Sequence, residues 1–208
     1  HVHDSLHERG LRGCLNFDCL GAGQWLTTLF QEDLQASREQ VLFSLFPEVM
    51  QMHQTMWYLL ELHNFTLSAE ETHQINHLLS TVQAIASIKQ LTAFDVQAFQ
   101  SDANELIKKI IFRNISANDN HHQYMGHDFK GRSLSNYDLH MKVAIGADFR
   151  NCSLENTIFL GTDVRDADFT GCDLTKALFL TQAQVNSMKG NDQTILPTHL
   201  HRPETWNL

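Results

Sequence analysis

The chain opens HVHDSLHERGLRGCLNFDCL, which places His3 and His7 one helical turn apart and Cys14 and Cys19 shortly after them. Two imidazoles and two thiols are donor types that zinc takes four at a time. Thiolate ligands would favour zinc or iron over magnesium. A transition-metal centre is therefore the chemistry this opening could perform. The C-x4-C spacing is weak for zinc, however, and a glycine-rich stretch also needs small buried residues. The competing reading is that both thiols are packing residues.

The other candidates for chemistry are weaker. Glu70, His73 and His77 share one helix face opposite Ile75 and Leu78, which reads as a solvated face. His53, between Met52 and Met56, reads as a core histidine. GAGQWL at 21–26 has two glycines before a helical pattern, but neither a preceding strand nor a lysine to make a phosphate loop. The sequence holds no G-x-S-x-G, H-E-x-x-H, Walker or dinucleotide motif. The reading is of a protein that is not an enzyme.

Glycine separates the elements. After Gly23 none occurs until Gly126, and the silent span is helical in pattern. Val49, Met52, Met56, Leu59 and Leu60 form one apolar face. Ile75, Leu78, Leu79, Val82 and Ile85 form a second, and Val96, Phe99, Ala103, Leu106 and Ile110 a third. Ser37 with Gln40 and Ser68 with Glu71 have capping-box spacing, and Pro47 marks a helix start. The organisation expected is a Cys/His-containing segment over 1–23, an α-helical domain over 24–120, a repeat over 121–181 and a C-terminal cap over 182–208. Apolar runs are too short to span a membrane, and no signal peptide opens the chain. With 42% hydrophobic and 19% charged residues, a soluble cytoplasmic protein is expected. The net charge of −9 argues against direct nucleic-acid binding through phosphates.

The repeat has a period of five, which fits neither a helix nor a strand. Phe129, Leu134, Leu139, Ala144, Phe149, Leu154, Phe159, Val164, Phe169, Leu174 and Phe179 mark its units without a slip. Two residues after each come mostly Gly, Asn or Asp, which tolerate tight turns. Two residues before the later centres come small ones: Ala147, Cys152, Thr157, Thr162, Ala167, Cys172 and Ala177. One unit thus describes one side of a square coil. A turn then takes 20 residues, with turns about 4.8 Å apart. That register places Phe129, Phe149 and Phe169 in one column. Leu134, Leu154 and Leu174 form the next, then Leu139, Phe159 and Phe179, then Ala144 and Val164. Cys152 and Cys172 should be small reduced core thiols.

GADF, RDADF and TGCDL within this stretch resemble the pentapeptide repeat family, whose units read roughly A-(D/N)-L-x-x. The resemblance implies an α+β fold: an N-terminal α-helical bundle followed by a short right-handed four-sided β-helix with a C-terminal helical cap. His127, Arg132, Tyr137 and Lys142 depart from the small-residue position, so the first turn is expected to be distorted or its core open. The opening segment is similar to the tail of a cysteine-rich module that precedes such repeats in some relatives. Under three turns expose an apolar end, so the helical part is expected to cover the N-terminal end and form one cooperative unit with the repeat.

The resemblance also implies a non-catalytic scaffold with a protein partner. Some family members imitate duplex DNA and occupy DNA gyrase. Asp128, Asp148 and Asp168 should stack as an acidic ladder and are the candidate partner-binding residues. Lys130 and Arg150 stand beside them, and residues 121–190 carry eight acids against seven bases. The alternative is a zinc- or iron-binding module in which the repeat only stabilises.

Overall fold

In the computed structural model, residues 21–29, 38–114 and 123–207 are described. The chain divides into two compact units, 1–113 and 114–208.

The first unit is helical. Its helices are α1 (Ala22–Leu29), α2 (Arg38–Glu61), α3 (Ala69–Gln83), α4 (Ile88–Ala93) and α5 (Val96–Asn114). The helical periodicity selects the core. Val49, Met52 and Leu59 of α2, Ile75, Leu79 and Val82 of α3, and Phe99, Ala103, Leu106 and Ile110 of α5 are buried. Leu60, read as part of the α2 face, is instead exposed. Pro47 does not start a helix: α2 runs through it. One proline removes only one rung of a 24-residue hydrogen-bond ladder, and the buried face on its C-terminal side holds the helix together.

Ser68 opens α3 with the expected capping box. The Glu71 amide donates to Ser68 Oγ (3.2 Å), and the Ser68 amide donates to Glu71 Oε2 (2.9 Å). Glu71 also receives Arg113 of α5 at 2.5 Å, while Arg113 donates to the Thr66 carbonyl at 2.8 Å. One buried carboxylate therefore ties the start of α3 to the end of α5. The Ser68 amide, then Arg113, hold the Glu71 pKa at about 2, below its ordinary 4.5. Because the folded value is the lower one, this stabilisation is present above pH 4.5 and is lost as pH falls towards 2. Glu71→Gln is expected to lower the melting temperature at neutral pH and to flatten its dependence on pH below 4.5. Thermal unfolding of both proteins between pH 7 and 2.5 checks this; parallel curves would contradict it.

The second unit corrects the expected fold class. Among the described residues there is no β-strand, so the α+β fold with a four-sided β-helix and a helical cap is not what forms. The regular elements are helices, including α6 (Gln182–Ser187) and a 3₁₀ turn at Glu204–Asn207. The repeat is a succession of turns pinned by isolated parallel bridges. The physical reason is the period itself. A left-handed residue turns the chain every fifth position, at Gly126, Gly131, Asn136, Met141, Gly146, Asn151, Asn156, Gly161, Asp166 and Gly171. The extended run between corners is too short for two consecutive bridges, which a strand requires.

The bridges nonetheless carry a 20-residue register. Asp128 pairs with Asp148 and Asp148 with Asp168; Ser133 pairs with Ser153, Asp138 with Ile158 and Val143 with Asp163. The interior follows from that register. Phe129 and Phe149 stack at 4.9 Å between centroids, and Phe149 and Phe169 at 4.6 Å. Leu134, Leu139, Ala144, Leu154, Phe159, Val164 and Leu174 share their buried cluster.

The small position has a polar role. Cys152 Sγ donates to the Phe129 carbonyl (2.9 Å), Thr157 to Leu134 (2.8 Å), Thr162 to Leu139 (2.8 Å) and Cys172 to Phe149 (2.9 Å). Each satisfies a carbonyl inside the coil. Both cysteines are free and buried, and burial pushes the Cys172 thiol up to about 12, so it stays protonated at neutral pH.

The units at His127–Lys142 keep their left-handed corners, at Gly131, Asn136 and Met141. Large side chains occupy the small position in these units. Tyr124 and Tyr137 meet through their hydroxyls at 2.8 Å, Lys142 Nζ lies 5.3 Å from the Tyr124 ring centre, and the His127 ring lies 4.5 Å from that of Phe129.

Candidate interaction face of the repeat

In a fully paired unit the backbone amides are easy to account for. The amide of the apolar centre and that of the left-handed corner donate to the following turn, as Phe149 does to Asp168 (2.8 Å) and Gly146 to Arg165 (2.9 Å). The bridge residue donates to the preceding turn, as Asp148 does to His127 (2.9 Å). The small residue closes its own corner, as Cys152 does on Phe149 (3.0 Å). One amide per unit is left, that of the residue after the centre.

Aspartate at the bridge position takes that amide. Asp128 Oδ1 accepts from the Lys130 amide (2.9 Å), Asp148 from Arg150 (3.0 Å) and Asp168 from Thr170 (2.9 Å). Asp138, Asp163 and Asp173 do the same for His140, Arg165 and Thr175. The three aspartates read from sequence as a partner-binding ladder thus also have a local structural role. The spacing D-x-x, with the amide two residues on, is the signal that could have shown it.

The register brings Asp128, Asp148 and Asp168 into one bridged column. The face is of mixed charge. Arg150 grips Asp148 with two nitrogens, Nε at 2.9 Å and Nη2 at 2.5 Å, and its Nε also lies 3.7 Å from Asp168 Oδ2. The Arg150 guanidinium holds the Asp148 pKa at about 2. One cation is thereby shared between two neighbouring turns. The arrangement holds a fixed pattern of carboxylates and guanidinium at a spacing set by the backbone.

Cys14, Cys19, His3 and His7 lie outside the described residues. Among the described residues, no group of three or more His, Cys, Asp or Glu could hold a metal ion. Glu70, His73 and His77 are exposed, and His53 is half-buried with its ring 5.2 Å from that of Trp25. No described helix is long and apolar enough to cross a membrane. Elemental analysis of protein purified without a metal column is expected to give no stoichiometric zinc or iron. Near-stoichiometric metal that disappears in Cys14→Ser/Cys19→Ser would contradict that expectation.

Residues 145–179 match the family described as pentapeptide repeats, in eight copies. These residues are pentapeptide repeats. The bridged register extends beyond the matched pentapeptide repeats on both sides, from Gln123 to Ile195. The chain is also 31% identical over 114 residues to a Bacillus subtilis (strain 168) protein named Uncharacterized protein YybG. That match covers 52% of this chain and 41% of the relative, so the chain spans less than half the length of the protein it matches.

Proposed function

We propose that this chain is a non-catalytic scaffold that binds a protein partner through the face carrying Asp128, Asp148 and Asp168. The observation that carries this reading is the shared cation. Arg150 reaches both Asp148 and Asp168, so the charge pattern of the face is set by the turn-to-turn register and not by free rotamers. A preordered polar surface loses little side-chain entropy on binding. Family resemblance makes a topoisomerase, DNA gyrase, the first partner to test. The alternation of carboxylate and guanidinium suits a partner surface that also presents both signs.

Asp128→Asn/Asp168→Asn separates charge from structure. Asparagine keeps the Oδ1 that receives the Lys130 and Thr170 amides and removes two negative charges. Stability is expected to change by less than about 0.5 kcal/mol, while binding to purified gyrase, followed by calorimetry, is expected to weaken at least tenfold. Unchanged affinity would remove the aspartate face from the interaction. Absence of binding by the native chain would remove the topoisomerase as the partner.

A further inference from the structure

One outer wall of the repeat carries apolar residues. The Tyr124 amide donates to the Val143 carbonyl (2.7 Å) and the Gly126 amide to the Ile145 carbonyl (2.9 Å), so Met125 stands one turn from Ile145. Met125 is 65% exposed, and Val143 and Ile145 are half-buried. Met141, at the corner that opens this wall, is 72% exposed. The next turn breaks the patch with Asp163 and Arg165, which pair with each other at 2.6 Å.

Met141 sits there with a strained backbone. Its φ is 54°, a left-handed value that disfavours a side chain such as methionine. Every other corner from 126 to 171 is Gly, Asn or Asp. The Met141 side chain lies on the corner of the next turn, where a Cβ on Gly161 would be 2.5 Å from Met141 Sδ. Asn151 lies over Gly171 in the same way, with Oδ1 2.6 Å from the Cβ position. The coil therefore builds this corner with asparagine over glycine, and its closure does not require a methionine. A flexible thioether held in solvent is a side chain suited to a binding surface.

The patch adjoins the aspartate face. Met125, Gly126, His127 and Asp128 lead from one wall to the next, and so do Ile145, Gly146, Ala147 and Asp148. A Cβ at Gly126 or Gly146 would meet nothing within 4 Å, so these corners are bare. One turn on, Arg165 and Asp166 replace the apolar residue and the glycine. Two methionines and two half-buried residues fall far short of the roughly 800 Å² that a stable interface buries on each partner. The patch thus fits one part of a larger footprint that crosses the bare corner. With Arg165 paired to Asp163 at its border, it offers no excess positive charge to a nucleic acid or an anionic lipid surface.

We propose that the protein partner of the aspartate face lies across the Gly126 and Gly146 corners and buries an apolar side chain against Met125, Met141, Val143 and Ile145. The inference rests on the reading of the aspartate face given above. The apolar wall supplies the dry centre of the contact and the aspartates with Arg150 its polar rim.

Met141→Asn and Met125→Gln/Met141→Asn test this. Met141→Asn is expected to melt at or above the native temperature, because asparagine suits the corner. Binding of the double variant to purified gyrase, followed by calorimetry, is expected to weaken at least tenfold, as is expected for Asp128→Asn/Asp168→Asn. Unchanged affinity of the methionine variant, with the aspartate variant weakened, would overturn the inference and leave the aspartate face standing. No loss in the aspartate variant, or no binding by the native chain, would remove that reading and this inference with it. A lower melting temperature for Met141→Asn would also overturn it, since Met141 would then be a packing residue. So would native sedimentation that rises with concentration and no longer does so in the double variant, because the occupant would then be a second copy of this chain.

Discussion

Phe149→Ala is expected to lower the unfolding free energy by about 3–5 kcal/mol. Phe149 is fully buried and is the middle ring of three, with Phe129 on one side and Phe169 on the other. Truncation leaves a cavity bounded by two rings whose backbones are fixed by the bridges Asp128–Asp148 and Asp148–Asp168, so collapse is limited. Denaturant unfolding followed by circular dichroism measures the loss. A value below about 1 kcal/mol would mean that the column collapses without cost and is not a closed core.

Trp206→Ala is expected to cost a comparable amount, about 3–5 kcal/mol. Trp206 is buried, belongs to the same cluster as the phenylalanine column and donates to Met188. Removing it uncovers Gly190 and leaves that carbonyl without its donor. Gly190→Ala attacks the contact from the other side. The new methyl would meet three indole carbons at 2.7–2.8 Å, so the ring must move, at a cost of about 1–3 kcal/mol. Chemical unfolding of both variants checks the pair. Wild-type stability in Gly190→Ala would show that the indole does not rest there.

Period and spacing were the parts of this fold that could be read from the sequence. A five-residue repeat with a 20-residue return predicted that Phe129, Phe149 and Phe169 would be neighbours, and their rings stack. Helical periodicity found the buried faces of α2, α3 and α5, and Ser68–Glu71 gave a true cap. The expectation failed where the family resemblance was translated into element type. It implied a β-helix, but a left-handed corner at every fifth residue leaves room for single bridges only. Pro47 suggested a helix start, but a proline is tolerated where tertiary burial outweighs one lost bond.

The candidate face was only half legible. Column membership of Asp128, Asp148 and Asp168 follows from counting. Their work on the amides of Lys130, Arg150 and Thr170 does not, because it depends on which amide the coil leaves over. The position of Trp206 over Gly190 was hidden for another reason. The register slips from 20 residues to 21 at Asp168–Lys189 and to 22 at Asp173–Ile195, so counting no longer places Gly190 in the phenylalanine column.

The 20-residue register carries both the core and the aspartate face, and disulfide trapping tests it most directly. Bridged residues on adjacent turns lie about 4.8 Å apart, within the range a disulfide spans. Asp128→Cys/Asp148→Cys should therefore oxidise to an intramolecular bond identified by peptide mass spectrometry, while Asp128→Cys/Ser153→Cys, which displaces one partner by a single unit, should remain reduced under the same conditions. Ready formation of the 128–153 bond, with none between 128 and 148, would contradict the account.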